Sequence, residues 1–553
     1  MRVIKQILFF LLSLCFVAFG HPAWMPYLGP FAAALGYGLF WRSLDSISFF
    51  KNRFWAATGW FFIVQLIQMS WLPSVKYQGF YIVWVYLLLA FGLGLQFGWI
   101  SRFVFLRRPL SIGSVVAIGA FATLNEWFRL FFLCGFTFNF SGMALACYVP
   151  SMQLASIFGI LGLSYFVFCT NALFLQLCRN RFRSGIGVWL SMALFPYCFG
   201  FFNLFVGLNQ ASPASFLNVL LIQPGLSVSQ KIPMKRFLAD FIPLDTQWKD
   251  LFLLVCPYRA NDLDWIIFPE SVVCSSVDDC IYPLRKVLLD LSSLGINLEG
   301  GLPPLITPYA EERNGVCFVS NAFWCQVLSN HLGSRVVAGF DQRDKVSNKW
   351  YNAAFYFSPY SKEIKRYEKQ ILLPIAESRP PGYLKNLAKK YGLTEFFTPG
   401  SSPLLFGEEV QAGVSICIEE TFPRIMRSAR IKGAKFFINL TNDGWYPNTN
   451  LPLQHFSHSR LRAVENGISL LRACNTGLTC IVDSKGRLLA GLPPESWKHP
   501  PERGALFQRI QIGVETTLYS YWGDIGVLMV CFGGLVLFGI KQRLFRSYTR
   551  SLA

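Results

Sequence analysis

The sequence predicts an α+β multi-domain membrane protein. Seven membrane helices occupy residues 1–207, a layered α/β domain occupies 208–518, and an eighth helix with a basic tail occupies 519–551. Three observations carry this reading. Hydrophobic residues make up 53% of the 553, and charged ones 15%, against about 25% charged in an ordinary soluble chain. Mean hydropathy is +0.39. Charge is segregated: residues 1–207 and 519–553 together hold 3 of the 31 acidic residues and 17 of the 50 basic ones. The middle stretch instead alternates β-branched and aromatic runs with amphipathic ones, the pattern of stacked strands and helices.

The candidate spans are 3–20, 25–41, 52–73, 77–100, 110–134, 151–177, 185–206 and 519–540, each near the roughly 20 residues that a bilayer core requires. Positive charge marks alternate ends. Arg2 and Lys5 precede the first span, and Arg42, Lys51 and Arg53 follow the second. Arg102, Arg107 and Arg108 follow the fourth; Arg179, Arg181 and Arg183 follow the sixth; Lys541, Arg543, Arg546 and Arg550 follow the eighth. Of the opposite loops, only one carries a clear positive charge, Lys76. Basic loops stay on the cytoplasmic side, so both termini are expected there, and 208–518 falls outside the cytoplasm. The first span also has the form of a secretory leader, but another span follows within a few residues and no A-x-A site separates them. It is read as an anchor.

Two charges lie inside the apolar zone. Glu126 and Arg129, in LNEWFRLFFLCGF, share one face of a helix and are expected to pair. Such a pair orients a helix or meets a lipid headgroup; the spacing leaves both open. Gln153, Gly159, Gly162, Ser164 and Asn171 recur through another span, where small residues allow close helix packing.

In the middle zone, strands are expected at Phe216–Ile222, Trp265–Phe268, Tyr351–Phe357, Val414–Ile418, Lys435–Leu440 and Ser469–Arg472. Thr479–Val482 and Arg487–Ala490 flank an Asp483–Gly486 turn, which reads as a hairpin. Amphipathic stretches near 280–294 and 453–466 read as helices, while 296–350 gives no clear pattern. Three strand ends carry chemistry: Glu270 in DWIIFPES, Lys369 and Glu377 in RYEKQILLPIAE, and Cys417, Glu419 and Glu420 in GVSICIEETFP. A cysteine nucleophile needs a base and a cation for the developing oxyanion, and Glu270 and Lys369 supply those types. Taken singly, each has a plainer account: a core thiol, a turn, a surface charge. Fifteen Cys without a CxxC ladder and five His argue against a metal module. The basic excess sits mainly in the membrane zones, which argues against nucleic acid. Cys274 and Cys280 are a candidate disulfide in an oxidising compartment. His455 and His458 are rim or structural residues.

Together these sites resemble the Glu-Lys-Cys triad of the nitrilase superfamily. With the membrane zones added, the chain resembles the apolipoprotein N-acyltransferase family over nearly its whole length. The residues that carry the resemblance are NEWFR at 125–129, Gly135-Phe136, Gln153 through Asn171, FPES, YEKQILLPIAE and CIEETFP, NLTNDGWYPNT at 439–449, Gln454-His455, RLRAVENG at 460–467 and LLRACNTG at 470–477. The resemblance implies eight membrane helices and an extracytoplasmic nitrilase-like α-β-β-α sandwich in a bacterial inner membrane. It implies Glu270 as general base, Lys369 as oxyanion cation, Cys417 as nucleophile, and Glu377 and Glu419 as supporting acids. Trp445 and Tyr446 fall in a loop rimming the site. The implied reaction carries a fatty acyl chain from a phospholipid, by way of a Cys417 thioester, to the N-terminal amine of a diacylated apolipoprotein. Phosphatidylethanolamine is the expected donor, and no cofactor or metal is expected. The alternative is a membrane-anchored amidase using the same triad. The chain departs from the family in having Ile418 where a Tyr usually follows the nucleophile, Thr137-Phe138 after Gly135-Phe136, and Ile232 after Lys231 in QPGLSVSQKI.

Overall fold

The computed structural model describes residues 2–46, 50–106, 110–132, 135–180, 185–208, 215–296, 300–374, 376–378, 396–492, 502–513 and 515–551. Arg107, Arg108, Arg181 and Arg183, which carry part of the charge pattern, lie outside them. The chain divides into two compact units. One comprises Met1–Ala211, Val464–Gly467 and Thr516–Ala553, and the other Ser212–Ala463 and Ile468–Glu515.

The first unit is helical. Among the described residues, three helices are long and apolar enough by themselves to cross a membrane: Tyr81–Phe105, Ala155–Arg179 and Gly185–Val206. Eight such spans were expected. The other candidates correspond to Arg2–Phe19, Phe50–Gln68, Ile112–Phe128 and Ile525–Ser551, each either shorter in its apolar part or interrupted by polar side chains. These helices make the unit that of a multi-pass membrane protein.

The expected span 25–41 is not one helix. It opens as the 3-10 turn Pro26–Leu28, runs through Gly29–Phe31 and a π-helical stretch Ala32–Gly36, and ends as Tyr37–Ser43. Pro26 and Pro30 lack the N–H that a continuous helix needs, and the irregular backbone requires outside partners. Asn171 supplies them. Its Nδ2 donates to the carbonyls of Ala32 (3.3 Å) and Ala33 (2.8 Å), and its Oδ1 accepts from Gly38 N (3.0 Å). Close packing explains the small residues nearby: a Cβ on Gly159 would lie 2.4 Å from the Tyr519 ring.

Glu126 and Arg129 do not form the expected pair; among the described residues no ion pair joins them. Glu126 Oε1 accepts from the backbone N (2.9 Å) and hydroxyl (2.8 Å) of Ser141. Arg129 donates to Phe138 O (3.0 Å) and lies over the Phe140 ring at 4.2 Å. Both are buried. Each ties its helix end to the segment Phe138–Ser141 that leads into the 3-10 helix Ser141–Cys147, and backbone groups and the Ser141 hydroxyl take the place of a mutual contact.

Among the described residues, the second unit holds fifteen strands. They are β1 Ser215–Gln223, β2 Trp265–Ile267, β3 Tyr282–Pro283, β4 Ala310–Arg313, β5 Val316–Val319, β6 Arg335–Arg343, β7 Trp350–Phe357 and β8 Lys365–Glu368. The series continues with β9 Leu405–Phe406, β10 Ala412–Ile416, β11 Phe436–Thr441, β12 Leu470–Cys474, β13 Cys480–Val482, β14 Leu488–Gly491 and β15 Gly504–Ile512. Two six-stranded sheets result, ordered β15-β1-β2-β6-β7-β8 and β14-β13-β12-β11-β10-β9. Strands β1, β2 and β6 run parallel, as do β10, β11 and β12. Parallel strands are covered on both faces, which is why VLLI, WII and FFI read as unbroken apolar runs. Leu217, Val219, Trp265 and Ile267 meet Val414, Ile416, Phe436 and Ile438 between the sheets.

Helices cover the outer faces. Trp248, Phe252, Val287 and Trp324 pack outside the first sheet, and Met426, Ala429 and Ala463 outside the second. The unit is an α-β-β-α sandwich. The expected hairpin forms between β13 and β14, closed by Gly486 N donating to Asp483 O (2.9 Å). The unread region 296–350 holds β4, β5, the helix Asn321–Leu332 and β6; β4 and β5 form a small sheet with β3, which lies in the stretch near 280–294 read as helix. Strand β10 stops two residues before the expected end. Cys274 and Cys280, expected as a candidate pair, are free thiols.

Candidate active site

The site lies where the two sheets present strand ends. In parallel α/β sheets the carboxyl ends of strands are the usual place for ligands. Glu270 follows β2, Cys417 follows β10, and Lys369 follows β8. Since β7 is antiparallel to both β6 and β8, β8 points the same way as β6 and β2.

Beyond β2, the chain continues along β6 as far as the base candidate. Phe268 N donates to Val337 O (2.8 Å), Gly339 N to Pro269 O (3.2 Å) and Val272 N to Gly339 O (2.7 Å). This approach needs a glycine, because a Cβ at Gly339 would lie 2.8 Å from the Glu270 Cα. Glu270 is 6% exposed. Its Oε1 accepts from Asn352 Nδ2 (2.7 Å) on β7 and from Lys369 Nζ (3.3 Å).

Lys369 has no exposed surface. Its backbone N donates to Asn352 O (2.9 Å), so Asn352 grips both the base and the residue carrying the cation. The ammonium lies between Glu270 and Glu377 Oε1 (2.7 Å), and the other Glu377 oxygen accepts from Leu373 N (2.8 Å). Burial alone would lower the Lys369 pKa, but Glu270 and Glu377 outweigh it and hold the group well above its ordinary value.

Cys417 opens the 3-10 turn Cys417–Thr421 with φ of +53°, a left-handed conformation rarely adopted outside glycine and costly without surrounding support. The support is local. Asn439 Nδ2 on β11 donates to Cys417 O (3.1 Å) and to Ser415 Oγ (3.0 Å). Burial pushes the thiol well above its usual pKa; Glu270, Asp443 and Glu377 add to the rise, and Lys369 opposes it. The resting group is therefore a thiol amid three carboxylates and one ammonium, an arrangement suited to handing its proton to a carboxylate.

Glu419 is a strut. Its Oε1 accepts from Gln370 N (2.6 Å) and Ile371 N (3.2 Å), and its Oε2 from Ile416 N (2.7 Å) and Tyr367 Oη (2.9 Å). One carboxyl thus joins the turn carrying Cys417 to the segment carrying Lys369. Burial pushes it up to about 7, against the pull of the backbone donors. Ile418 is partly exposed on the same turn. Trp445 and Tyr446 are partly exposed in the loop after β11, the strand beside β10. Glu126 and Arg129 belong to the helical unit and are not among these residues.

Several site residues carry no label in the sequence reading. Arg472, fully buried on β12, pairs with Glu420 (2.9 Å) and Asp443 (3.2 Å), and Asp443 also meets His455 Nδ1 (2.9 Å). Against a burial effect that would raise it, His455 and Arg472 hold the Asp443 carboxyl below its usual range. Asn352 and Asn439 were also missed. Each is a lone amide inside an otherwise apolar buried strand, and a buried polar group needs a partner. That was the available signal.

Comparison with known proteins follows the same division. Residues 10–173 match the family model for the apolipoprotein N-acyltransferase N-terminal domain. Residues 259–498 match that for carbon-nitrogen hydrolase. The apolipoprotein N-acyltransferase of Chlamydia caviae is 30% identical, the match covering 97% of this chain and 99% of that one. Those of Chlamydia pneumoniae (30%; 95% and 96%) and Chlamydia muridarum (30%; 98% and 98%) are similar to it over comparable lengths. The chain belongs to the apolipoprotein N-acyltransferase family, and it is an N-acyltransferase.

Proposed function

We propose that the protein moves a fatty acyl chain from a membrane phospholipid to the N-terminal α-amine of an S-diacylglyceryl-cysteine on apolipoproteins, through a thioester on Cys417. The observation that carries this is the buried Lys369 ammonium held between Glu270 and Glu377 in the electrostatic reach of the Cys417 thiol.

In the first half-reaction Glu270 takes the Sγ proton and the thiolate attacks the carbonyl carbon of the phospholipid ester. Lys369, with a backbone N–H of the Cys417–Ile418 turn, holds the oxyanion; one such donor contributes about 3–4 kcal/mol. Collapse breaks the ester C–O bond, and Glu270 returns its proton to the departing lysophospholipid oxygen. In the second half-reaction the acceptor amine attacks the thioester and loses a proton to Glu270. The C–S bond breaks, the thiolate is reprotonated, and an amide is released. Two substrates thus visit one site in turn, a ping-pong cycle.

Both substrates keep their chains in the bilayer, since extraction costs about 0.8 kcal/mol per CH₂. The segregated charge supports an eight-pass chain in a bacterial inner membrane, with both termini cytoplasmic and the sandwich periplasmic. The donor headgroup is taken to be phosphatidylethanolamine.

The test is intact-mass analysis of the full-length protein incubated with phosphatidylethanolamine, then with a diacylated lipopeptide. A fatty acyl adduct on Cys417 that leaves only when lipopeptide is added is the expected result. An adduct lost to water at the same rate without acceptor would make the protein a hydrolase. Full N-acyl transfer by Cys417→Ser would end the assignment.

A further inference from the structure

A second buried lysine stands behind Glu270. The short helix Val228–Lys231 is held by a capping box, in which Ser227 N donates to Gln230 Oε1 (2.9 Å) and Gln230 N to Ser227 Oγ (3.4 Å). It ends at Lys231, which is 1% exposed. The Lys231 Nζ donates to the main-chain oxygen of Glu270 at 3.1 Å. Burying an ammonium is costly unless it is paired, so its place at this peptide calls for a reason. Asp341 on β6 and Glu270 both attract the ammonium, and Asp341 Oδ1 accepts from Ser271 Oγ (2.6 Å). Ser271 has φ of +44°. The peptide leaving Glu270 is thus gripped at its oxygen by Lys231, and the strained residue after it is anchored to Asp341.

We propose that Lys231 is a positioning residue for acyl transfer, its ammonium fixing the Glu270 main chain so that the Glu270 carboxylate stays on Asn352, on Lys369 and within reach of the thiol. This role rests on the reading of Glu270 as the base. The link is geometric. Rotation of the 270–271 peptide swings the Cα–Cβ bond of Glu270, and small displacements of a base are expensive in rate. The strained φ at Ser271 would relax if the carbonyl were released.

Charge separates this role from plain packing. Burial lowers the Lys231 pKa to about 8, while Asp341, Glu270 and Cys274 pull it back up. Lys231 therefore loses its proton as pH rises through about 8, where Lys369, raised well above its ordinary value, remains charged. Direct ionisation of Cys417 at alkaline pH would speed thioester formation. With Glu419 pushed up to about 7 in the same site, a fall in rate near pH 8 reports Lys231 when it moves with substitutions at Lys231 and Asp341.

The experiment follows single-turnover thioester formation on Cys417 by intact mass, using full-length protein in mixed micelles with phosphatidylethanolamine across the pH range. For the parent, the rate is expected to decline through about pH 8. Lys231→Met is expected to be at least roughly tenfold slower at neutral pH. Lys231→Arg keeps the ammonium-like charge, so it retains most of the rate and its decline moves to higher pH. Asp341→Asn removes a charge that raises Lys231, so its decline moves to lower pH. A rate in Lys231→Met within about twofold of the parent, or a decline unmoved in both Lys231→Arg and Asp341→Asn, overturns the role. Should Lys231→Met fail to fold, the shifts in the other two variants decide the matter. A parent that forms no thioester at all defeats the proposed function, and this role with it. A parent that forms it normally alongside an unaffected Lys231→Met defeats the positioning role alone.

Discussion

Cys417 is a strained, buried thiol, and both properties have consequences that can be measured. Its φ is +53°, and burial, aided by the surrounding carboxylates, holds it in the protonated form. An ordinary cysteine is half ionised at about pH 8.5 and reaches its full alkylation rate by roughly pH 10. The rate at Cys417, followed by peptide mass mapping with iodoacetamide, is expected to be slow at that pH and still rising beyond it. A plateau at the ordinary pH would contradict the burial and charge described. Lys369 shows the opposite balance. Its folded-state pKa lies above the unfolded one, so its contribution to stability is complete below about 10.4 and is lost only as pH rises through the folded value. Gly339 is a third case, decided by space. A methyl group there would lie 2.8 Å from the Glu270 Cα and 2.9 Å from Pro269 O, both backbone atoms. Gly339→Ala is therefore expected to displace Glu270 and to lower single-turnover thioester formation on the order of tenfold or more.

Among the elements, the turn Cys417–Thr421 and the segment after β8 are joined through Glu419. Glu419→Gln places an NH₂ against two of the four donors that now meet the carboxyl. Each buried donor left unmet costs about 1–3 kcal/mol. The variant is expected to lower the urea midpoint of the sandwich, followed by limited proteolysis, and to slow acylation because Lys369 loses its register with Cys417. In the helical unit, Asn171→Leu removes the donors that meet the Ala32 and Ala33 carbonyls. A loss of about 1–2 kcal/mol is expected, read as earlier exposure of the buried Cys169 to a thiol dye on heating. These elements also show what the chain made legible. β1, β2, β7, β10, β11 and β12 stood out because strands buried on both faces are written as continuous apolar runs. Glu270 and Cys417 stood out because each follows such a run, whereas Lys369 follows the charged strand KRYE and stood out only through the motif RYEKQILLPIAE. Helix Asn321–Leu332 did not, because residues 321–330 are all buried and a helix without a solvated face shows no amphipathic period. The broken span before Ser43 was hidden for a different reason: its partner, Asn171, lies more than a hundred residues away. Lys231, Asn352 and Asp341 were likewise illegible, since their meaning comes from tertiary contact with Glu270 rather than from any local spacing.

At the scale of the whole molecule, the distribution of charge is the argument for orientation. A net +19 spread evenly would say little, but only 3 of the 31 acidic residues fall in the apolar zones, and their basic residues cluster at alternate loops. Positive loops resist translocation. Arg102, exposed near the end of the helix Tyr81–Phe105, lies on the cytoplasmic side in the proposed topology. The loop between β6 and β7 belongs to the domain assigned to the other side, and its Val346 is 99% exposed. A cysteine introduced at either position is therefore open to solvent on one face only. In intact bacterial cells whose outer membrane has been made permeable, a membrane-impermeant maleimide is expected to label Val346→Cys above the background of the native thiols. Arg102→Cys is expected to label only after the inner membrane is breached. The reverse pattern would place the thiol of Cys417 on the cytoplasmic side, away from the proposed acceptor, and would overturn the proposed orientation.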